Sequence, residues 1–234
     1  MPRLGRRPFT IAAATLAVLV APAAANAATY TIKSGDGACG PGDLACGGFA
    51  EAAAVAAAGD IFTVAPGIYP GADFTAPDVT INGTAGVLVN STMTFSGAAG
   101  AASKMSKVAV VQAAATGPAI VVTGPAGLEL SDAVAVSSYD HGIFISAGEA
   151  NKIVRSIVAT GGARTSAIRV LSEPSSPSKS LTVESTLATG GASGIGAYTQ
   201  SAPLLAGAAG DITLVLRHVP LLPAAVTWRR TSVM

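Results

Sequence analysis

Apolar and polar positions alternate along this chain in short bursts, and glycine and proline cut the bursts apart. In "DIFTV", Ile61, Phe62 and Val64 are apolar around Thr63. In "DVTINGT", Val79 and Ile81 alternate with polar residues before an Asn82-Gly83 turn signal. Period-two patterning of this length predicts strands. Pro66-Gly67 and Pro70-Gly71 in "APGIYPG" predict the turns between them. One stretch differs. In "GFAEAAAVAAAGD", Phe49, Ala52, Ala53 and Ala56 recur at helical spacing. With alanine's high propensity this predicts a helix over 49–58, ended by Gly59.

Further along, the pattern repeats over a longer distance. Ala119-Ile120, Gly142-Ile143, Ala167-Ile168 and Gly194-Ile195 each open a strand-like run, and the isoleucines lie 23, 25 and 27 residues apart. A loop rich in Gly, Ser and Pro follows each run, then a second strand. There Leu130, Val154 and Val183 align, followed four residues later by Val134, Val158 and Leu187. Asp132, Ser156 and Ser185 fall at the bend and are expected to stack as an internal ladder serving turn amides. Arg155 and Glu184 occupy equivalent positions in that alignment, which predicts an outward ion pair. "KMSKVAVV" fits the pattern in outline and "ITLVLRHV" fits it poorly.

A unit of this length cannot bury its apolar side alone. Stacking successive units as parallel strands about 4.8 Å apart does bury it. A two-sheet antiparallel sandwich is the rival, but its hairpins would repeat at about 8 to 12 residues. The expected fold is therefore all-β: a right-handed parallel β-helix over 60–219. Residues 28–59 would supply a cysteine loop and a short N-terminal capping helix that covers the open sheet edge. Residues 220–234, with Pro220, Pro223 and Trp228, break the pattern and are expected to be an irregular tail, as in a truncated form of a longer β-helix.

The first residues read differently. Arg3, Arg6 and Arg7 precede an apolar run over 11–20 and then Ala25-Asn26-Ala27. That is the layout of a secretory signal peptide over 1–27, cleaved after Ala27. The run is shorter than the roughly 20 residues a membrane span needs. A secreted or cell-surface location follows, with no transmembrane segment after cleavage. Arg6-Arg7 leaves both the general and the twin-arginine export routes open. In such a compartment Cys39 and Cys46, bracketing a Gly-Pro-Gly turn, are expected to form one local disulfide. Removal of three arginines leaves 11 of the 14 basic residues against 13 acidic ones. A near-neutral chain without a basic run excludes nucleic acid as a partner.

The run "FAEAAAVAAAGDIFTVAPGIYPG" resembles the first coil of secreted β-helix proteins of the pectate-lyase-like superfamily, where a cap helix reads into a Gly-Asp and a Pro-Gly-x-Tyr. The resemblance covers about residues 36–200. It implies a polysaccharide or cell-surface polymer as partner. The enzymes of that group use acidic clusters, with Ca²⁺ in the lyases and paired aspartates in the hydrolases. No Asp-x-Asp, Asp-Asp or Asn-x-Asp motif occurs here, so no catalytic residue carries over and no metal ligand is assigned. A non-catalytic protein presenting a regular flank is the leading expectation. A polysaccharide lyase or glycoside hydrolase, the former with Ca²⁺, and a truncated inactive relative are the alternatives.

One cluster carries the chemistry a ligand would need. Tyr139, Asp140 and His141 sit together in "SSYDHGI", and Arg164, Arg169 and Tyr198 belong to the following coils. Stacking would bring them close. Aromatic faces, a carboxylate, an imidazole and two guanidinium forks suit an anionic sugar. The plainer reading makes Asp140 an Asx turn and leaves His141 in water.

Overall fold

The computed structural model describes residues 27–40, 42–114, 116–172, 179–201, 212–219 and 226–232. Within them the chain winds as a parallel β-helix with three sheets. Ile61–Val64 lies in the first sheet, Gly67–Tyr69 in the second and Asp73–Phe74 in the third. The chain then returns to the first sheet, and Thr80–Gly83 pairs in parallel with Ile61–Val64. Six such three-strand coils follow one another as far as Ser193–Ser201. Two more strands, Ile212–Arg217 and Val226–Ser232, pair onto the first and third sheets. The stack therefore continues into the segment read as an irregular tail. "ITLVLRHV" also belongs to it, with Leu216 opposite Val183.

Period-two patterning sends alternate side chains inward, and in-register pairing stacks them coil on coil. In the first sheet Tyr30, Phe62, Ile81, Met105, Leu130, Ile153 and Val183 follow one another in register, all buried. In the third sheet Phe74, Phe95, Val122, Ile145 and Val170 do the same. Among the described residues the buried aromatic rings are concentrated at the N-terminal end. Phe62 stacks on Tyr30 at 5.1 Å and meets Phe74 edge-on at 5.8 Å, and Phe74 stacks on Phe95 at 5.9 Å.

That cluster also docks the helix. It spans Phe49–Val55, and Phe49 reaches Tyr69 and Phe74 of the first coil at 5.6 and 6.4 Å. The helix is shorter than the 49–58 its alanines suggested. Ala56 already has extended geometry, with φ −55° and ψ 130°. The cause lies downstream, in the buried Asp60 carboxylate. It accepts the Ala57 N–H at 2.8 Å with one oxygen and the Ala28 N–H at 2.8 Å with the other, which pulls the chain off the helix axis. Gly59, at φ +89°, makes the turn into the first coil. The first sheet begins before the helix: Thr29–Ile32 pairs in parallel with Ile61–Val64, and Ala45–Cys46 adds to its other edge. Cys39 and Cys46 form the expected disulfide. Residues 1–26 of the expected signal peptide lie outside the described residues.

The repeat alignment needs a one-residue correction in its middle copy. Leu130 pairs with Ile153, not Val154, and Ile153 pairs with Val183. The equivalent corner residues are therefore Lys107, Asp132, Arg155 and Ser185, all at positive φ. Their N–H groups bond in turn to Ser131, Val154, Glu184 and Arg217 carbonyls of the next coil. Asp132 thus stands directly beneath Arg155 and on the surface. The two form a bidentate pair at 2.8 Å, which replaces the expected Arg155–Glu184 pair. The Arg155 hydrogen bond holds the Asp132 carboxyl below its usual range. Ser156 is the buried residue just after the corner. It accepts the Ala133 N–H at 3.2 Å and donates to the Val154 carbonyl at 2.8 Å. The ladder of Asp132, Ser156 and Ser185 does not form, because an αL residue turns each corner and shifts the buried polar position by one.

Far-ultraviolet circular dichroism should be strand-dominated with a small helical share; a mostly helical spectrum contradicts the fold. Phe74→Ala removes a ring buried between two coils and the helix, and should cost about 3–5 kcal/mol in urea unfolding.

Candidate functional site

Tyr139, Asp140 and His141 lie where the chain passes from the second sheet to the third. The strand Val134–Ser137 ends, Ser138 to Asp140 make the corner, and Ile143–Ile145 enters the third sheet. Ser137 shapes the corner: its hydroxyl accepts the Asp140 N–H at 3.0 Å and donates to the Gly117 carbonyl of the coil below at 3.1 Å. Asp140 Oδ1 then accepts the His141 N–H at 2.7 Å. The carboxylate thus bonds to the N–H of the very next residue and not to the Gly142 N–H two residues on, as the Asx turn of the plainer reading would require. Tyr139 points outward and is 60% exposed.

The next coil lies directly on this corner. A Cβ on Gly162 would fall 2.5 Å from the Tyr139 carbonyl, so only glycine allows that approach. Thr160 donates to the Asp140 carbonyl and pairs with Thr165 at 2.8 Å. Arg164 follows Gly162 by two residues and is exposed.

His141 is not in water. It is 6% exposed, and both ring nitrogens are engaged. Arg169 Nη1 lies 3.1 Å from Nε2. A guanidinium can only donate, so Nε2 accepts. The ring proton therefore sits on Nδ1 and is donated to the Ser166 carbonyl at 2.9 Å. The Ser166 N–H also lies 3.1 Å from Nδ1, but it could bond there only in the tautomer that turns an Nε2–H against Arg169. Burial pushes the His141 pKa down, and the Arg169 charge adds to this, while the Ser166 backbone and Asp140 oppose it. Asp140 Oδ1 is 3.6 Å from Nε2. The neutral imidazole acts as a bracket for Arg169.

A second bracket was not among the residues singled out from the sequence. Phe144 pairs in register with Arg169, and the guanidinium carbon lies 5.7 Å from its ring centre. The His141 ring stacks on the same phenylalanine at 6.2 Å. The signal was present in "GIFIS": with Ile143 and Ile145 buried, the intervening Phe144 belongs to the outer face. Asp140, His141, Phe144 and Arg169 thus form one cluster, and the exposed Tyr139 precedes Asp140 in the chain. Tyr198 lies on Ser193–Ser201 in register with Leu171, and its side chain lies outside the described residues.

Among the described residues no three His, Cys, Asp or Glu side chains gather into a metal-binding group. No described helix is long and apolar enough to cross a membrane. A shallow groove of about 300 Å³ on the outer face of the first sheet is lined by Lys104, Glu129 and Lys152, and none of the six expected site residues borders it. No protein-family profile, curated protein or solved structure matches this chain.

The sign of the His141 effect gives a pH test. Its folded pKa lies below the ordinary value, so its contribution to stability is fully present above about pH 6.5 and is lost as pH falls through the lowered folded value. Melting temperature should drop between about pH 7.5 and pH 5 in the wild type. His141→Gln should flatten part of that slope and, because the bracket is lost, lower the melting temperature even at neutral pH. An unchanged slope would show that His141 is not the group involved.

Proposed function

We propose that the chain is a secreted or cell-surface β-helix protein that binds an acidic polysaccharide at the edge formed by Tyr139, Arg164 and Arg169, without cleaving it. The observation that carries this reading is the Arg169 guanidinium. It is held between His141 at 3.1 Å and the Phe144 ring at 5.7 Å, on an outer face beside an exposed tyrosine. A guanidinium held this way loses little further freedom on meeting a carboxylate or sulfate, and its fork favours two-point binding. Tyr139 adds an apolar face for a sugar ring. The cysteine loop with its disulfide and the signal-like N-terminus support an extracellular setting. The likeness of the first coil to pectate-lyase-like proteins supports a polymer ligand.

Support for binding without cleavage comes from how the site spends its groups. Asp140 bonds to its own turn, and His141 is closed on both nitrogens. Glycoside hydrolysis uses two facing carboxyl groups, and this cluster holds one. Binding should be measured by calorimetry on polygalacturonate and alginate oligomers. Arg169→Lys keeps the charge but loses the fork, and affinity should fall roughly tenfold, about 1.4 kcal/mol. Tyr139→Ala should weaken binding with little change in melting temperature. Incubation with either polymer or with pectin, with and without Ca²⁺, should release no unsaturated or reducing ends above a boiled control. Release of such ends would favour the lyase or hydrolase alternative.

A further inference from the structure

Asp60 presents a different problem from the polymer site; its solution rests on the secreted part of the proposed function and not on the polymer. Its carboxylate is 3% exposed and sits at the junction of the helix, the first coil and the leading strand Thr29–Ile32. Two backbone N–H groups reach it, Ala57 on Oδ2 and Ala28 on Oδ1, both at 2.8 Å. No lysine, arginine or histidine pairs with it among the described residues. A buried carboxylate without a cation is costly, and an asparagine could accept from one N–H and spare the charge. The backbone around it is tightly fixed: Thr80 N–H bonds to the Asp60 carbonyl at 2.8 Å, and Asp60 N–H to Ala57 at 3.2 Å.

We propose that the missing cation is the α-ammonium of Ala28, created when the signal peptide is removed. The sequence places the small-residue cleavage motif at Ala25-Asn26-Ala27, which makes Ala28 the first mature residue. The structure places the nitrogen of that same residue against the buried carboxylate. The two observations are independent and meet at one peptide bond. Ala27 is exposed, so the bond lies at the surface, while its nitrogen points at Asp60.

The chemistry balances without a further reactant beyond water. A signal peptidase hydrolyses the Ala27–Ala28 amide: the C–N bond breaks, the water oxygen joins the Ala27 carbonyl carbon, and the new carboxyl group gives up its proton. The freed Ala28 amine takes up a proton and becomes an ammonium. The existing 2.8 Å hydrogen bond is kept and becomes charge-assisted. Asp60 thereby reads whether the N-terminus has been processed at the correct residue. The precursor lacks this pair and has a weaker cap.

The test compares five forms of the mature protein by thermal melting at neutral pH. One starts at Ala28, one carries a single extra glycine before it, one is acetylated on the Ala28 nitrogen, one combines the Ala28 start with Asp60→Asn, and one combines the extra glycine with Asp60→Asn. The extended and acetylated chains keep an amide nitrogen at Ala28 and lose only the charge. Both should melt about 2–4 °C below the native start, the shift a change of this kind gives in a domain of this size. Asp60→Asn should melt lower as well, and adding the glycine to it should make no further difference. Mass spectrometry of the exported protein should show Ala28 as the first residue. Equal melting of the native, extended and acetylated forms overturns the proposal, as does an exported chain that starts elsewhere.

Discussion

In-register parallel pairing between one coil and the next is the constraint on which everything else in this molecule rests. Each strand hydrogen-bonds to the equivalent strand of its neighbours, and side chains alternate with period two. Once a single coil has chosen which residues face inward, every later coil inherits the choice. Phe62, Ile81, Met105, Leu130, Ile153 and Val183 form a column because the ladder beneath them leaves no other place to stand. The same inheritance works outward. Phe144 and Arg169 touch because their strands are neighbours in one sheet, though 25 residues separate the members of that column in sequence.

Corners are where the chain escapes that uniformity. Lys107, Asp132, Arg155 and Ser185 share a left-handed conformation, which no bulky side chain favours, and yet they differ in charge. Backbone geometry is conserved along the stack while the side chain is free to vary. That freedom allows Asp132 and Arg155 to form a bidentate pair on the surface, where such a contact is worth little. On the other side of the second sheet, the corner at Tyr139–His141 uses its freedom to bring an imidazole inside and leave a tyrosine outside.

Much of the fold could be read in the sequence. Alternation in "DIFTV" and "DVTING", the Pro-Gly turns and the recurring isoleucines all describe real coils, and Cys39 and Cys46 pair as their surroundings indicate. What escaped was phase. Ile153 and Val154 are both aliphatic, so composition cannot say which faces inward, and only the corner conformation of Arg155 decides. The helix end was hidden for a related reason: alanine propensity speaks for continuing to Ala58, but the carboxylate that stops it belongs to Asp60. Residues of the candidate site could be collected from the sequence, whereas their roles could not. His141 reads as a polar residue on a turn until the next coil is laid over it, and Phe144 reads as an ordinary strand residue until Arg169 is placed above it.

The uneven spread of aromatic rings gives the molecule a direction. Tyr30, Phe49, Phe62, Tyr69, Phe74 and Phe95 all lie in the leading strand, the helix and the first two coils, while among the described residues the later core is built from smaller side chains. Solenoids gain stability from each interface between neighbours, so the end with the largest buried rings holds the strongest ones. A chain synthesised from its N-terminus delivers that end before any other. Each later coil then arrives at a finished edge and has only to lay itself down along it, as courses of brick follow the first one set.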